Sequence, residues 1–179
     1  IEKFIDELFK IEAQTRFGKM FDESLDFSKL EKGVSSSYKL PMPDFVVVPD
    51  LPSKGNQSLM FSRKWIDFLE RRFPNYEYYL AVQDGMDPNL VEDDLFEGRF
   101  SGLFVGGTKQ WKYKTSADWV ELAHDCGVKC HIGGIGTRKS ILWAKSIGAD
   151  SVDSGIAMIH PIHLKEVLNI QNDLFWNIA

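Results

Sequence analysis

A chain of 179 residues, 44% of them hydrophobic, can bury one sizeable core, and its length is that of a single domain spanning residues 1–179. The net charge of −5 gives no overall basic field, so any hold on nucleic acid must rest on local groups of Lys and Arg. No apolar run approaches the roughly 20 residues of a membrane span and no signal-peptide pattern opens the sequence, which predicts a cytoplasmic protein with no membrane partner.

The first amphipathic signal is Glu2 to Ala13, where Phe4, Ile5, Leu8, Phe9 and Ile11 recur at helical spacing. Residues 14–42 lack periodicity and carry Gly18, Gly33, Ser35-Ser36-Ser37 and Pro41, so a long irregular connection is expected. Phe45-Val46-Val47-Val48, bounded by Pro43 and Pro49, reads as a buried strand that ends at Asp50. After the turn-rich Leu51 to Asn56, Ser58 is placed to cap a helix from Leu59 to Arg72. Phe61, Trp65, Phe68 and Leu69 form its expected core stripe.

The strand Tyr78 to Val82 leads to Gln83-Asp84-Gly85, and Asp87-Pro88 reads as the N-cap and first residue of an acidic helix, Asn89 to Glu97. Leu103-Phe104-Val105 ends at Gly106-Gly107-Thr108. The following Lys109 to Lys114 interleaves lysines with Trp111 and Tyr113 and is expected as a loop, with Ser116 capping a helix from Ala117 to Cys126. Lys129 to Ile132 is the next strand, running into Gly133-Gly134-Ile135-Gly136-Thr137-Arg138 and a helix from Lys139 to Ile147. A short strand within Gly148 to Gly155 delivers Asp153, and Ile162 to Ile170 reads as a last helix. Strand, polar or glycine tip and helix repeat about every 25 to 30 residues, the period of βαβ units. A parallel α/β fold follows. With no G-x-G-x-x-G fingerprint present, a (β/α)8 TIM-type barrel is expected rather than an open dinucleotide-binding sheet, and five strands make it an incomplete one. Strands preceding Ile1 would account for the shortfall, and exposed strand edges would need a cover such as a homo-oligomer.

Parallel strands bring their carboxyl ends to one side, where such enzymes keep their chemistry. Asp50 and Asp153, each behind apolar residues, can serve there as nucleophile, general base or acceptor for a polar heterocycle, whereas Asp150 reads as a capping residue. Gln83 offers a donor and an acceptor suited to an amide-like base edge, and Gly106 and Gly107 let a flat ligand approach bare backbone. Lys109, Lys112 and Lys114 with their aromatics suit phosphates and a stacked base. Gly133, Gly134 and Arg138, at a glycine-rich turn into a helix, suit an anion, although tight turning explains the glycines equally well. Cys126 and Cys130 beside His131 lack the remaining ligands of a zinc site, so reduced thiols and no metal are expected. None of His124, His131, His160 and His163 shows a paired nucleophile in the sequence.

The ordered set Val48-Pro49-Asp50, Leu80 to Gly85, Gly102 to Thr108 with Trp111-Lys112, Cys130-His131-Ile132-Gly133 and Gly148 to Ser154 resembles the tRNA-guanine transglycosylase superfamily over residues 43–168. It is most similar to the branch that places 7-deazapurines in the DNA of phages and bacteria. The resemblance implies a (β/α)8 barrel that exchanges guanine in DNA, or less readily tRNA, for a free 7-deazaguanine base, with no cofactor, in a bacterial, archaeal or phage-infected host cytoplasm. It makes Asp153 the nucleophile that attacks C1′, with Asp50 and Gln83 binding the purine edge and Gly106 and Gly107 contacting the base through backbone. The family's early Asp-Ser-Gly-Gly-Phe or Asp-Asn-Gly-Ala-Phe segment, source of a second catalytic aspartate, is absent here, as is its Cys-x-Cys-x2-Cys…His zinc site. The latter fits a zinc-free DNA branch; the former suggests an N-terminally incomplete chain or an inactive relative. Two other functions suit the residues: a phosphate-binding barrel enzyme acting on a small metabolite, and a non-catalytic nucleic-acid-binding module.

Overall fold

A computed structural model of the chain describes residues 43–155, which from Phe45 onward belong to one compact unit. The predicted helices at Glu2 to Ala13 and Ile162 to Ile170, the connection at 14–42, and His160 and His163 lie outside the described residues. The elements run β1 (Val46–Val47), α1 (Asn56–Arg72), β2 (Tyr78–Val82), α2 (Pro88–Phe96), β3 (Gly102–Val105), α3 (Lys109–Asp125), β4 (Lys129–Ile132), α4 (Arg138–Ser146) and β5 (Ser151–Val152). All strands are parallel and their spatial order is their chain order, β1-β2-β3-β4-β5.

The expected (β/α)8 barrel is corrected by this sheet. Among the described residues it has five strands, curled into a half-barrel, with β1 and β5 as its two ends rather than partners. Closure requires tilt and stagger to match around the full circumference, and five strands do not span the ring that eight close.

Right-handed crossovers that always step in the same direction put all the helices on one face of the sheet. Val48, Leu80, Val82, Leu103, Val105, Cys130 and Ile132 point to one face and are fully buried. The Tyr78 hydroxyl, on that face, donates to the Leu69 and Phe73 carbonyls at the end of α1. The opposite face carries a row of rings. Phe45 stacks on Tyr79 with centroids 4.1 Å apart and planes 9° from parallel, and Phe104 stacks on His131 at 5.1 Å and 14°. Two glycines make room for them. A Cβ on Gly102 would run into the Tyr79 ring and one on Gly133 into the Phe104 ring.

Two helix starts differ from the sequence expectation, each for a tertiary reason. Helix α1 starts at Asn56 rather than after Ser58, because Ser58 is fully buried and its hydroxyl works elsewhere: it accepts from Leu51 N at 2.9 Å and from Gln83 Nε2 at 2.9 Å. The core face of that helix is Ser58, Leu59, Ser62, Ile66 and Leu69, whereas Phe61 and Trp65 are half-buried and Phe68 is 42% exposed. Small serines allow the helix to approach the end of β1, where Ser62 Oγ donates to the Pro49 carbonyl at 3.0 Å. Helix α3 starts at Lys109, with Thr108 as its N-cap, so the Lys109 to Lys114 stretch is helix and not loop. Ser116, expected as the cap, is buried inside it. By contrast Asp87 caps α2 and Pro88 opens it, as the Asp-Pro pair predicts.

Candidate functional site at the carboxyl ends of the strands

The tip of β1 is tied to the tip of β2 through Gln83. Its side chain is 2% exposed, and Nε2 donates to Asp50 Oδ2 at 2.9 Å and to Ser58 Oγ, while Oε1 accepts from the Ser53 backbone N–H. Both amide donors are therefore engaged within the chain, and Gln83 acts on Asp50 by orienting it. Burial pushes the half-buried Asp50 carboxyl above the usual carboxylate range, with the Gln83 hydrogen bond pulling partly the other way.

The tip of β2 is tied to the tip of β3 through Asp84, which accepts from Thr108 N and Thr108 Oγ1, each at 2.7 Å. Burial would raise this carboxyl, but the two Thr108 hydrogen bonds outweigh it and hold it below its ordinary value. Gly107 is demanded by this arrangement. Its φ is +73°, and a Cβ would lie 2.5 Å from Asp84 Oδ2 and 2.8 Å from Trp111 Cε3. At Gly106, half-buried between Val82 and Phe104, an added Cβ would meet only ordinary contacts, the nearest 3.5 Å away. Its N–H donates to Val82 O at 2.9 Å and so continues the ladder.

The turn after β4 closes around Asp153. Gly134 N donates to Asp153 Oδ1 at 2.8 Å and Ile135 N to the Asp153 carbonyl at 2.9 Å, while Gly133 N stays in the ladder with Val105 O at 3.1 Å. These three N–H groups, in the turn considered as an anion cradle, are thus engaged by the protein itself. On the same turn Lys112 Nζ donates to the Gly133 carbonyl at 2.5 Å. Burial pushes the Lys112 ammonium below its usual range, against the pull of the Asp153 charge. Lys109, Lys114 and Arg138 are exposed, the first two on α3 and the last at the start of α4.

A residue that the sequence did not single out completes this end of the site. His131 Nε2 lies 3.1 Å from Asp153 Oδ1 and His131 Nδ1 lies 2.8 Å from Ser151 Oγ. A Ser-His-Asp line therefore exists where none was read from the sequence. The available signal was parity: Ser151 and Asp153 are two apart and share a face, and His131 is the register partner of Ser151 on β4. The imidazole is 6% exposed and the Asp153 side chain 57%. Burial holds the His131 pKa below its ordinary value, with Asp153 pulling it up less strongly.

Asp150 caps no helix; its Oδ2 accepts from Cys130 N at 2.8 Å and lies 3.0 Å from His124 Nε2. Cys130 faces the helix side of the sheet, opposite His131, and burial pushes its thiol up to about 12. Among the described residues no group of three or more His, Cys, Asp or Glu is placed to hold a metal ion, and no helix is long and apolar enough to cross a membrane.

The structure thus gathers Asp50 with Gln83 at one end of the sheet and Asp153 with His131, Gly134 and Lys112 at the other. Three strands lie between these ends. At about 4.8 Å per strand a flat sheet would hold them roughly 19 Å apart, and the curl shortens that distance. No protein-family model matches the sequence, and comparison with curated proteins finds no match.

Proposed function

We propose that the chain is a transglycosylase that exchanges guanine in DNA for a 7-deazaguanine base, with Asp153 as covalent nucleophile. The observation that carries this is the asymmetry of the Asp153 carboxylate. Its Oδ1 takes both hydrogen bonds found among the described residues, from Gly134 N and His131, while the side chain stays 57% exposed at a strand tip. A carboxylate anchored through one oxygen, on a side chain this exposed, suits attack on an electrophilic carbon by the other. The ordered strand-end motifs that resemble the tRNA-guanine transglycosylases favour the same assignment.

In the proposed reaction Asp153 Oδ2 attacks C1′ of the deoxyguanosine, the C1′–N9 bond breaks, and its electron pair leaves with guanine, which takes up a proton. The incoming base loses its N9 proton, attacks C1′ and displaces the carboxylate, so protons balance and two inversions preserve the sugar configuration. Recognition of the base edge and attack at the sugar call for groups on opposite sides of a nucleoside. Asp50, hydrogen-bonded by Gln83, stands after β1 and Asp153 after β5, the two ends of the described sheet, which supports such a division of roles. Gly106, with no side chain, admits a flat ring, and exposed Lys109, Lys114 and Arg138 serve backbone phosphates. The metabolite-enzyme alternative loses its main support because the N–H groups of Gly133, Gly134 and Ile135 are taken.

The test is exchange of radiolabelled guanine, and of unlabelled 7-cyano-7-deazaguanine, into duplex DNA and tRNA, together with denaturing-gel detection of a protein–nucleic acid adduct. Wild type should exchange and form the adduct on DNA, and Asp153→Asn should do neither while melting at a similar temperature. Exchange retained by Asp153→Asn would remove Asp153 as nucleophile, and preference for tRNA would move the substrate assignment.

A further inference from the structure

We infer that Ser151 and His131 form a positioning relay for Asp153, in which Ser151 selects the imidazole tautomer that aims an Nε2–H at Asp153 Oδ1. The inference rests on the nucleophile assignment above and names the residues that hold the nucleophile in its attacking orientation.

A neutral imidazole has one N–H and one lone pair, and the partner of each nitrogen decides which is which. Asp153, as a carboxylate, only accepts, so at 3.1 Å the hydrogen must be on Nε2. The Nδ1 lone pair then receives the Ser151 hydroxyl proton at 2.8 Å. The other tautomer would set two lone pairs against each other on the Asp153 side. Two rings also contact the imidazole: Phe104 stacks on it at 5.1 Å, and Phe45 lies tilted at 5.0 Å and 59°. Burial, which disfavours the charged imidazolium, keeps both nitrogens in these distinct roles. Gly134 N supplies the second donor to the same oxygen, so Oδ1 is fixed by two hydrogen bonds.

The same three residues could be taken for an acyl-transfer triad with Ser151 as nucleophile, but exposure runs the wrong way. In such triads the carboxylate is buried and the hydroxyl meets the substrate. Here the carboxylate is the exposed end and the histidine is 6% exposed. His131 does not reach substrate; it acts through Asp153.

The experiment combines a tautomer measurement with kinetics on the full chain. Nitrogen-15 NMR of histidine-labelled protein should report neutral His131 protonated at Nε2 in wild type, and a mixture in Ser151→Ala. In the exchange assay, His131→Leu should slow adduct formation by about tenfold to a hundredfold, the usual effect of losing a hydrogen bond to a charged group, with KM for the incoming base unchanged. His131→Gln, whose amide Nε2 carries a donor toward the same oxygen, should recover most of that rate. A merely structural histidine would not show this recovery. Nδ1 protonation in wild type, or adduct formation by His131→Leu at the wild-type rate, would overturn the relay. Loss of turnover in Ser151→Ala with retention in Asp153→Asn would make Ser151 the nucleophile and overturn it too. If His131→Leu does not fold, the tautomer decides: Nε2 protonation in wild type that becomes a mixture in Ser151→Ala supports the relay, and Nδ1 protonation in wild type overturns it. Absence of exchange by wild type sinks the transglycosylase assignment and the relay with it, whereas loss in Asp153→Asn alone, with His131→Leu unaffected, sinks only the relay.

Discussion

Replacing Gly133 by Ala tests the ring row on which His131 depends. The backbone at Gly133 is not in the left-handed region, so an alanine meets no conformational strain there, and its N–H keeps its bond to Val105 O. The nearest obstacle is the Phe104 ring, whose Cε1 and Cε2 would lie 2.7 and 3.0 Å from the new methyl, with Cζ nearer still. Restoring an ordinary contact near 3.5–4.0 Å requires the ring to move by more than about 1 Å. That movement drives it into His131 or swings it off the sheet. Forced repacking costs about 1–3 kcal/mol, and a lost ring stack about 0.5–1.5 kcal/mol. Against this, Gly→Ala restricts the unfolded chain and returns about 0.4–1 kcal/mol. The net expectation is a loss of about 0.5–4 kcal/mol. In a Phe104→Ala background the obstacle is gone, and the same substitution should be neutral or stabilising by up to about 1 kcal/mol. Urea unfolding of the four proteins of this double-mutant cycle reads the change of sign directly. An equal cost of Gly133→Ala in both backgrounds would refute the claim that Gly133 exists to accommodate Phe104.

Asp84→Ala removes both hydrogen bonds to Thr108 at the N-cap of α3 and should destabilise the fold by about 1 kcal/mol at neutral pH, the low end for a charged acceptor because the site is largely exposed. Since the Asp84 pKa is lowered in the folded state, its contribution is complete above the unfolded value of 3.8 and fades as pH falls through the folded value, so wild type and variant should converge in acid melts. Asp50→Asn should act in the opposite direction. The raised Asp50 pKa means that the fold increasingly disfavours the charged carboxylate as pH rises from 3.8 through the folded value, so the variant should melt higher than wild type at neutral pH and match it below 3.8. A lower melting temperature at neutral pH would show that the Asp50 charge is needed to hold Gln83. The exchange assay on the same variant should show a raised KM for the incoming base.

The elements whose cause is local were legible in the sequence. The strands Tyr78–Val82 and Lys129–Ile132 follow from short apolar runs closed by turn residues, and their limits match those expected. The start of α2 at Asp87-Pro88 follows from a side chain that caps and a ring that fixes φ. Asp50, Gln83 and Asp153 were recognisable as strand-end residues for a similar reason: each is a polar residue that closes a strand signal, Val46–Val48 with Pro49 before Asp50, Tyr78–Val82 before Gln83, and Val152 before Asp153. Where two local signals competed, neighbours decided. Both Thr108 and Ser116 can cap a helix; Asp84, 24 residues away, holds Thr108 in that role. Phe61, Trp65 and Phe68 outrank Ser58 and Ser62 in hydrophobicity, yet the serines face the core because they satisfy Leu51, Gln83 and the Pro49 carbonyl.

The sequence by itself determined that strands and helices alternate and that carboxylates stand at the strand tips, since both depend on residue type and spacing within a few positions. Only the tertiary structure decided that the five strands among the described residues form a half-barrel, because closure depends on strand count and stagger around the whole ring. It alone paired His131 with Ser151 and Asp153, through a register between strands whose partners lie about 20 residues apart in the chain. It also gave Gly102 and Gly133 their reason, for the atoms that exclude a side chain there belong to Tyr79 and Phe104 on neighbouring strands.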